Sequence, residues 1–305
     1  MNSLLNEFKN AFNRPNNSLY QLILINVFVY VILSVMYVVA ELGGFTRLFG
    51  NVYEQFRISP RFDEFIFHPW TLITYAFSHS LSDFFHILFN MLALYWFGRL
   101  IKDYLGSDKL ISIYILGAMA GGLIFLFAYN LVPYYALRAA QVSGMVGASA
   151  SVFAVAVAAA TLLPEHRFFL IFIGPVKIVY IVGIYIFLSF VGMVGSNAGG
   201  NLAHLAGALI GFVYISSLQK GTDIGRFIIQ IITFFKSFFT KQSNIKVSYK
   251  KKPSARRTKK SRPPKSSGIV TTQDEIDAIL DKINASGYES LTKEEKQKLF
   301  NAGGK

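Results

Sequence analysis

The chain has 305 residues, of which 53% are hydrophobic and 15% charged, with a mean hydropathy of +0.42. Soluble domains carry about 25% charged residues, so a soluble domain fits poorly. The lack of cysteine excludes a disulfide-stapled domain, a zinc-thiolate or iron–sulfur site and a cysteine nucleophile. The net charge of +13 is uneven: residues 1–219 hold 11 Lys+Arg against 9 Asp+Glu, and residues 220–305 hold 19 against 8. A near-neutral apolar body with a basic tail reads as an integral membrane protein with a cytosolic extension. Nucleic-acid binding is not expected, because the charge avoids the body.

After a short segment at 1–19, apolar runs of the length that crosses a bilayer lie near Tyr20–Ala40, Phe84–Ile101, Leu110–Val132, Gly147–Leu163, Val176–Val194 and Asn201–Leu218. These are spans 1 to 6 of an expected all-α body at 20–218. The first is too long for a signal peptide and no small-residue cleavage site follows it. Residues 41–83 hold charges and aromatic pieces (Phe45–Phe49, Phe62–Trp70), which suggests a long loop that partly dips into the interface. Lys9, Arg14, Arg99, Lys102, Lys109, Arg167 and Lys220 fall on one side, and Arg138 stands alone in the short loops of the other. The positive-inside rule then puts both termini in the cytosol.

Residues 219–245 include Phe227–Phe239, apolar but too short to cross, which is expected to lie in the inner interface. Residues 246–265 carry ten Lys/Arg and no acid, so 246–270 reads as a disordered linker attracted to anionic lipid. A small helical domain is expected at 271–305. Thr272 with Glu275 suggests a capping box, with Ile276, Ile279, Leu280 and Ile283 on one face and Gly287 as a stop. Thr292 and Glu295 open a second short helix ending near Leu299–Phe300.

Ionisable groups inside spans are costly and usually functional. His86 opens span 2 with Asn90 one turn further on the same face, Ser149 opens span 4 and His204 opens span 6. Spans 2, 4 and 6 run in the same direction, so these four residues share one depth just below the outer surface. A lone membrane serine usually bonds its own helix, and a lone histidine often glues helices. Gly207 with Gly211 alone means only close packing, and Met91, Tyr95 and Trp96 read as packing or lipid-facing. The combination at one depth changes the odds. A serine hydroxyl with a histidine base is a nucleophile, and His86, Asn90 and the Ser149 backbone N–H are suitable oxyanion donors. No carboxylate lies within a span, and Asp83 reads as a helix-start acid. The expected site is therefore a Ser–His dyad without an acidic orienter. Two histidines are too few to hold a metal.

Three motifs in order carry a resemblance. Gly147-Ala148-Ser149-Ala150 is similar at three of four places to a G-x-S-G, His86-Ile87-Leu88-Phe89-Asn90 fits H-x-x-x-N, and Ala203-His204-Leu205-Ala206-Gly207 fits A-H-x-x-G. Over about residues 20–218 the chain resembles the rhomboid intramembrane serine proteases. The resemblance implies a six-transmembrane-helix bundle, Ser149 as nucleophile, His204 as base, and His86 with Asn90 as oxyanion donors. It also implies that Phe153 stacks on His204, with Gly147 and Gly207 in support and no cofactor. The implied substrates are single-span membrane proteins cleaved near the outer face, and the implied site is a bacterial inner membrane. The tail hairpin resembles a segment appended to some bacterial rhomboids. Ala150 replaces the second motif glycine, bringing a methyl to the approach of span 6. Trp70-Thr71 stands where the family has Trp-Arg, so the arginine brace of the first loop is missing. The small-residue-poor span 5 is the expected gate for sideways substrate entry. A catalytically silent rhomboid relative that binds and escorts membrane proteins is the alternative, and such relatives typically lack the Ser or the His.

Overall fold

The computed structural model describes residues 17–239, 273–286 and 290–303. The N-terminal segment with Lys9 and Arg14, the basic stretch 246–270, Thr272 and Gly287 lie outside the described residues. The chain divides into two units, Met1–Ser243 and Asn244–Lys305. Counting helices of ten or more residues, the first holds α1 (Ser18–Gly43), α2 (Phe84–Leu105), α3 (Ser107–Leu131), α4 (Ser149–Leu162), α5 (Ile178–Val191), α6 (Ala198–Gln219) and α7 (Arg226–Phe239). It is a helical membrane bundle. Of these, α1, α2, α3 and α6 are long and apolar enough to cross a bilayer.

The remaining two spans are shorter than expected. Helices α4 and α5 have 14 residues each, or about 21 Å against about 30 Å of hydrocarbon. Two features shorten α4. Gly144 and Gly147 lie at φ +128° and +134°, which keeps the chain non-helical until Ser149. At the other end Pro164 follows Leu163, and a residue before proline leaves the helical region. The segment after it is not a plain loop. Strands β1 (Arg167–Leu170) and β2 (Gly174–Lys177) pair antiparallel, and Phe168 packs edge-on against Phe97 of α2, with ring centroids 5.5 Å apart. Two four-residue strands beside an apolar run leave no periodicity to read, so hydropathy alone places the start of span 5 inside β2.

The core is centred on α4, in which Ala150–Val152 and Ala154–Ala160 are buried. Small residues let its neighbours come close. A Cβ on Gly117 of α3 would sit 2.6 Å from the Ala154 methyl, and one on Gly121 would sit 2.5 Å from the Ala150 methyl. On the other flank, a Cβ on Gly207 or Gly211 of α6 would run into the carbonyl oxygens of Ala150 or Ala154. The Ala150 methyl therefore points at α3, and α6 meets the Ala150 backbone. Gly207→Ala is expected to overpack this seam, at a cost of about 1–3 kcal/mol, and to lower the thermal midpoint in detergent. Gly183 of α5 has nothing within 4 Å of an added Cβ, so Gly183→Ala is the control and should be neutral.

The first loop contains short helices at Thr46–Tyr53, Phe62–Phe65 and Thr71–Thr74, while Phe45, Leu48, Ile66, Phe67 and Trp70 remain exposed. Hydrogen bonds hold this loop and the segment after it. The Thr71 hydroxyl donates to the His68 carbonyl at 2.6 Å. Asn130 of α3 donates to the Pro60 carbonyl at 2.7 Å, and the Tyr75 hydroxyl donates to the Ala118 carbonyl at 2.7 Å. Asn26 of α1 is fully buried and donates to Tyr114, whose hydroxyl donates to the Ala76 carbonyl at 2.7 Å. A polar residue within a span is here a structural tie.

The second unit holds α8 (Gln273–Ser286) and α9 (Lys293–Gly303). The second helix opens on a reciprocal cap, with Glu295 N–H donating to Thr292 Oγ1 at 3.3 Å and Thr292 N–H to Glu295 Oε2 at 2.8 Å. Lys282 pairs with Glu295 at 2.9 Å. Ile279 and Leu291 are buried, and Leu280 is half exposed.

Candidate active site

The starts of α2, α4 and α6 converge. Helix α2 opens where the Asp83 carboxylate accepts the His86 N–H at 3.2 Å, a helix-start role that fixes His86 in the first turn. One turn on, the Asn90 amide donates to the His86 carbonyl at 2.7 Å. An amide has two N–H groups, and Asn90 is among the residues that line the cavity described below.

Gly147 sits against the His86 ring. A Cβ there would stand 3.0 Å from Nε2 and Cε1, at a φ that side chains rarely adopt. Its own N–H donates to the Tyr75 carbonyl at 3.0 Å, and Met145 exchanges backbone hydrogen bonds with Ile58. The first loop thus pins the strand of chain that delivers Ser149. Ser149 is the first residue of α4, and first-turn N–H groups have no partner within their own helix. Its N–H lies at the positive end of the helix dipole, and Ser149 is among the residues that line the cavity.

His204 lies in the second turn of α6. Its Nε2 is 2.7 Å from Ser149 Oγ. Phe153, one turn after Ser149, stacks on the imidazole with centroids 4.4 Å apart and planes 9° from parallel. The ring also has a partner that the sequence did not single out. Ser189 of α5 is buried, and its Oγ is 3.1 Å from His204 Nδ1. The expected pair therefore has a third member, a hydroxyl where an acid is usual. Its only sequence signal is a lone polar residue near the end of an apolar helix.

A cavity of about 730 Å³ surrounds these groups, and His86, Asn90 and Trp96 line one side of it while Tyr185, Ser189 and His204 line the other. It separates α2 from α5. Among the described residues no three His, Asp or Glu side chains gather into a metal-ligand set. Gly207 stands one turn past His204 and carries the α4–α6 contact that sets their spacing.

His79, in the loop before α2, is fully buried with its ring edge-on to His86 at 5.2 Å. Burial, and then the neighbouring His86, push its imidazole from the ordinary 6.5 down to about 3. The unfolded chain therefore takes up this proton first as pH falls. Stability contributed by neutral His79 is intact above about pH 6.5 and drains away toward pH 3, by up to about 1.4 kcal/mol per pH unit. Thermal midpoints of wild type and His79→Phe between pH 7 and pH 4 should diverge, with the variant falling less. Parallel slopes would mean that His79 is not the group responsible.

A family model described as "Rhomboid domain" matches residues 67–220, and a second, described as "Family of unknown function (DUF6576)", matches residues 270–301. The chain is 32% identical over 162 residues to "Rhomboid protein 1, mitochondrial" of Saccharomyces cerevisiae, covering 50% of this chain and 43% of that one. It is 31% identical over 164 residues to "RHOMBOID-like protein 12, mitochondrial" of Arabidopsis thaliana, covering 50% of this chain and 47% of that one. The match thus spans less than half the length of either curated relative. Both are mitochondrial by name, so they lend no support to the bacterial inner membrane expected above.

Proposed function

The chain belongs to the rhomboid family, and we propose that it is an intramembrane serine endopeptidase that cleaves the transmembrane segments of membrane proteins. The 2.7 Å contact between His204 Nε2 and Ser149 Oγ, inside a cavity bounded by α2 and α5, carries this reading. His204 takes the hydroxyl proton as Oγ attacks the scissile carbonyl carbon. The resulting oxyanion meets the Ser149 N–H, the His86 imidazole and the other Asn90 N–H. His204 then passes its proton to the leaving amide nitrogen, and an ester on Ser149 remains. Water, deprotonated by the same imidazole, attacks that ester and releases the acid product. Phe153 keeps the ring in plane, while Gly147 and Gly207 hold the backbone approaches.

Both termini are proposed on the basic side of the bundle, with the site just below the opposite, outer surface. The substrate helix is proposed to enter sideways between α2 and α5. The juxtamembrane segment 219–245 and the basic linker 246–270 are proposed to keep the small domain 271–305 near anionic lipid, in a targeting or regulatory role. A hydrogen-bonded Ser–His pair favours the protease over a silent escort. The test uses purified full-length protein and a single-span substrate in detergent. Wild type should generate two fragments and Ser149→Ala none; persistent cleavage by Ser149→Ala would overturn the reading.

A further inference from the structure

We propose that Ser189 is a positioning residue for His204, an inference that rests on the protease reading above. For Nε2 to accept the Ser149 proton it must itself be unprotonated, so the neutral ring carries its hydrogen on Nδ1. Ser189 Oγ is the group 3.1 Å from that atom, and it accepts the Nδ1–H. The bond selects the working tautomer and fixes the ring's rotation. Once His204 becomes an imidazolium the same bond is charge-assisted and strengthens, so it helps the transition state more than the resting state.

The surroundings favour a hydroxyl in this place. A serine within an apolar helix ordinarily bonds a carbonyl of its own helix. Ser189 is 3% exposed and its hydroxyl turns to His204 on the next helix. A carboxylate here would have to be desolvated inside a membrane bundle at a cost of several kcal/mol. A hydroxyl supplies the acceptor without a charge. Just past α5, Asn201 donates to the Gly192 carbonyl at 2.9 Å, Tyr135 to Met193 at 3.0 Å and Tyr134 to Val194 at 2.8 Å. These three bonds tie the chain to α6 and to the segment after α3, one turn beyond Ser189. Phe153 on the ring face and Ser189 at Nδ1 then leave His204 one orientation.

The experiment compares full-length wild type, Ser189→Ala, Ser189→Thr and Ser149→Ala with one single-span substrate, and measures fluorophosphonate labelling rates in parallel. Removing a hydrogen bond to a charged group should lower kcat about 10- to 100-fold. The labelling rate should fall in step, with KM within about twofold of wild type. Threonine keeps the hydroxyl and should restore most of both rates. Equal kcat and labelling in Ser189→Ala and wild type, or a loss that appears mainly in KM and is shared by threonine, would overturn the positioning role. If Ser149→Ala also cleaves, the protease reading itself fails; if only Ser149→Ala is dead, that reading stands and Ser189 alone is at fault.

Discussion

Ser149→Ala, His204→Ala and the double variant are expected to be equally inactive, each with turnover lower than wild type by about 10⁴–10⁶. The reason is mechanical. Without His204 the Ser149 hydroxyl has no group to take its proton, and without Ser149 the imidazole has nothing to activate. Two residues that perform one proton transfer do not contribute separate increments, so the second substitution finds nothing left to remove. The 2.7 Å separation makes them one unit. If the two acted independently, the double variant would be slower than wild type by the product of the two single effects. A readily measured further loss would therefore break the pairing. Thermal midpoints serve as the control, because both side chains are only partly buried and neither substitution should unfold the bundle.

Asn90→Ala should lower turnover by about 10²–10³, or about 2.7–4 kcal/mol, with KM nearly unchanged. One amide N–H already holds the His86 carbonyl at 2.7 Å, so the residue has a structural tie beside the proposed oxyanion role. The tie is worth on the order of 0.6 kcal/mol in membrane hosts, far less than the loss expected from the oxyanion role. A ground-state carbonyl is a weaker acceptor than an oxyanion, so the donor acts chiefly on turnover. The defect should be partial, since His86 and the Ser149 N–H remain. Near-normal turnover in a less stable protein would reduce Asn90 to packing.

The candidate site was legible because polar groups stand out in apolar spans. Ser149, His204, His86 and Asn90 lie at the starts of three helices that run the same way, and the structure brings those starts together. Asn26 marks the boundary of that rule: it is polar and more deeply buried, yet it ties α1 to Tyr114. Ser189 escaped because a lone helical serine ordinarily satisfies itself, and its partner is contributed by another helix. The Gly207–Gly211 spacing announced close packing, but only coordinates identify the Ala150 and Ala154 carbonyls as the surfaces met. The Ile58–Met145 pairing that delivers Ser149 joins two loops with no pattern of their own. The shortness of α4 and α5 follows in part from Gly147, whose positive φ delays the helix at the start of span 4, and from the hairpin, whose second strand takes the first residues of span 5.

The most direct measurement is the mass of the covalent adduct formed when the purified full-length protein meets a fluorophosphonate, mapped by peptide mass spectrometry. A serine made nucleophilic by His204 should carry one phosphonyl group at Ser149, and His204→Ala should carry almost none. An adduct at another serine, or an unmodified Ser149 in protein that still cleaves a single-span substrate, would contradict the account.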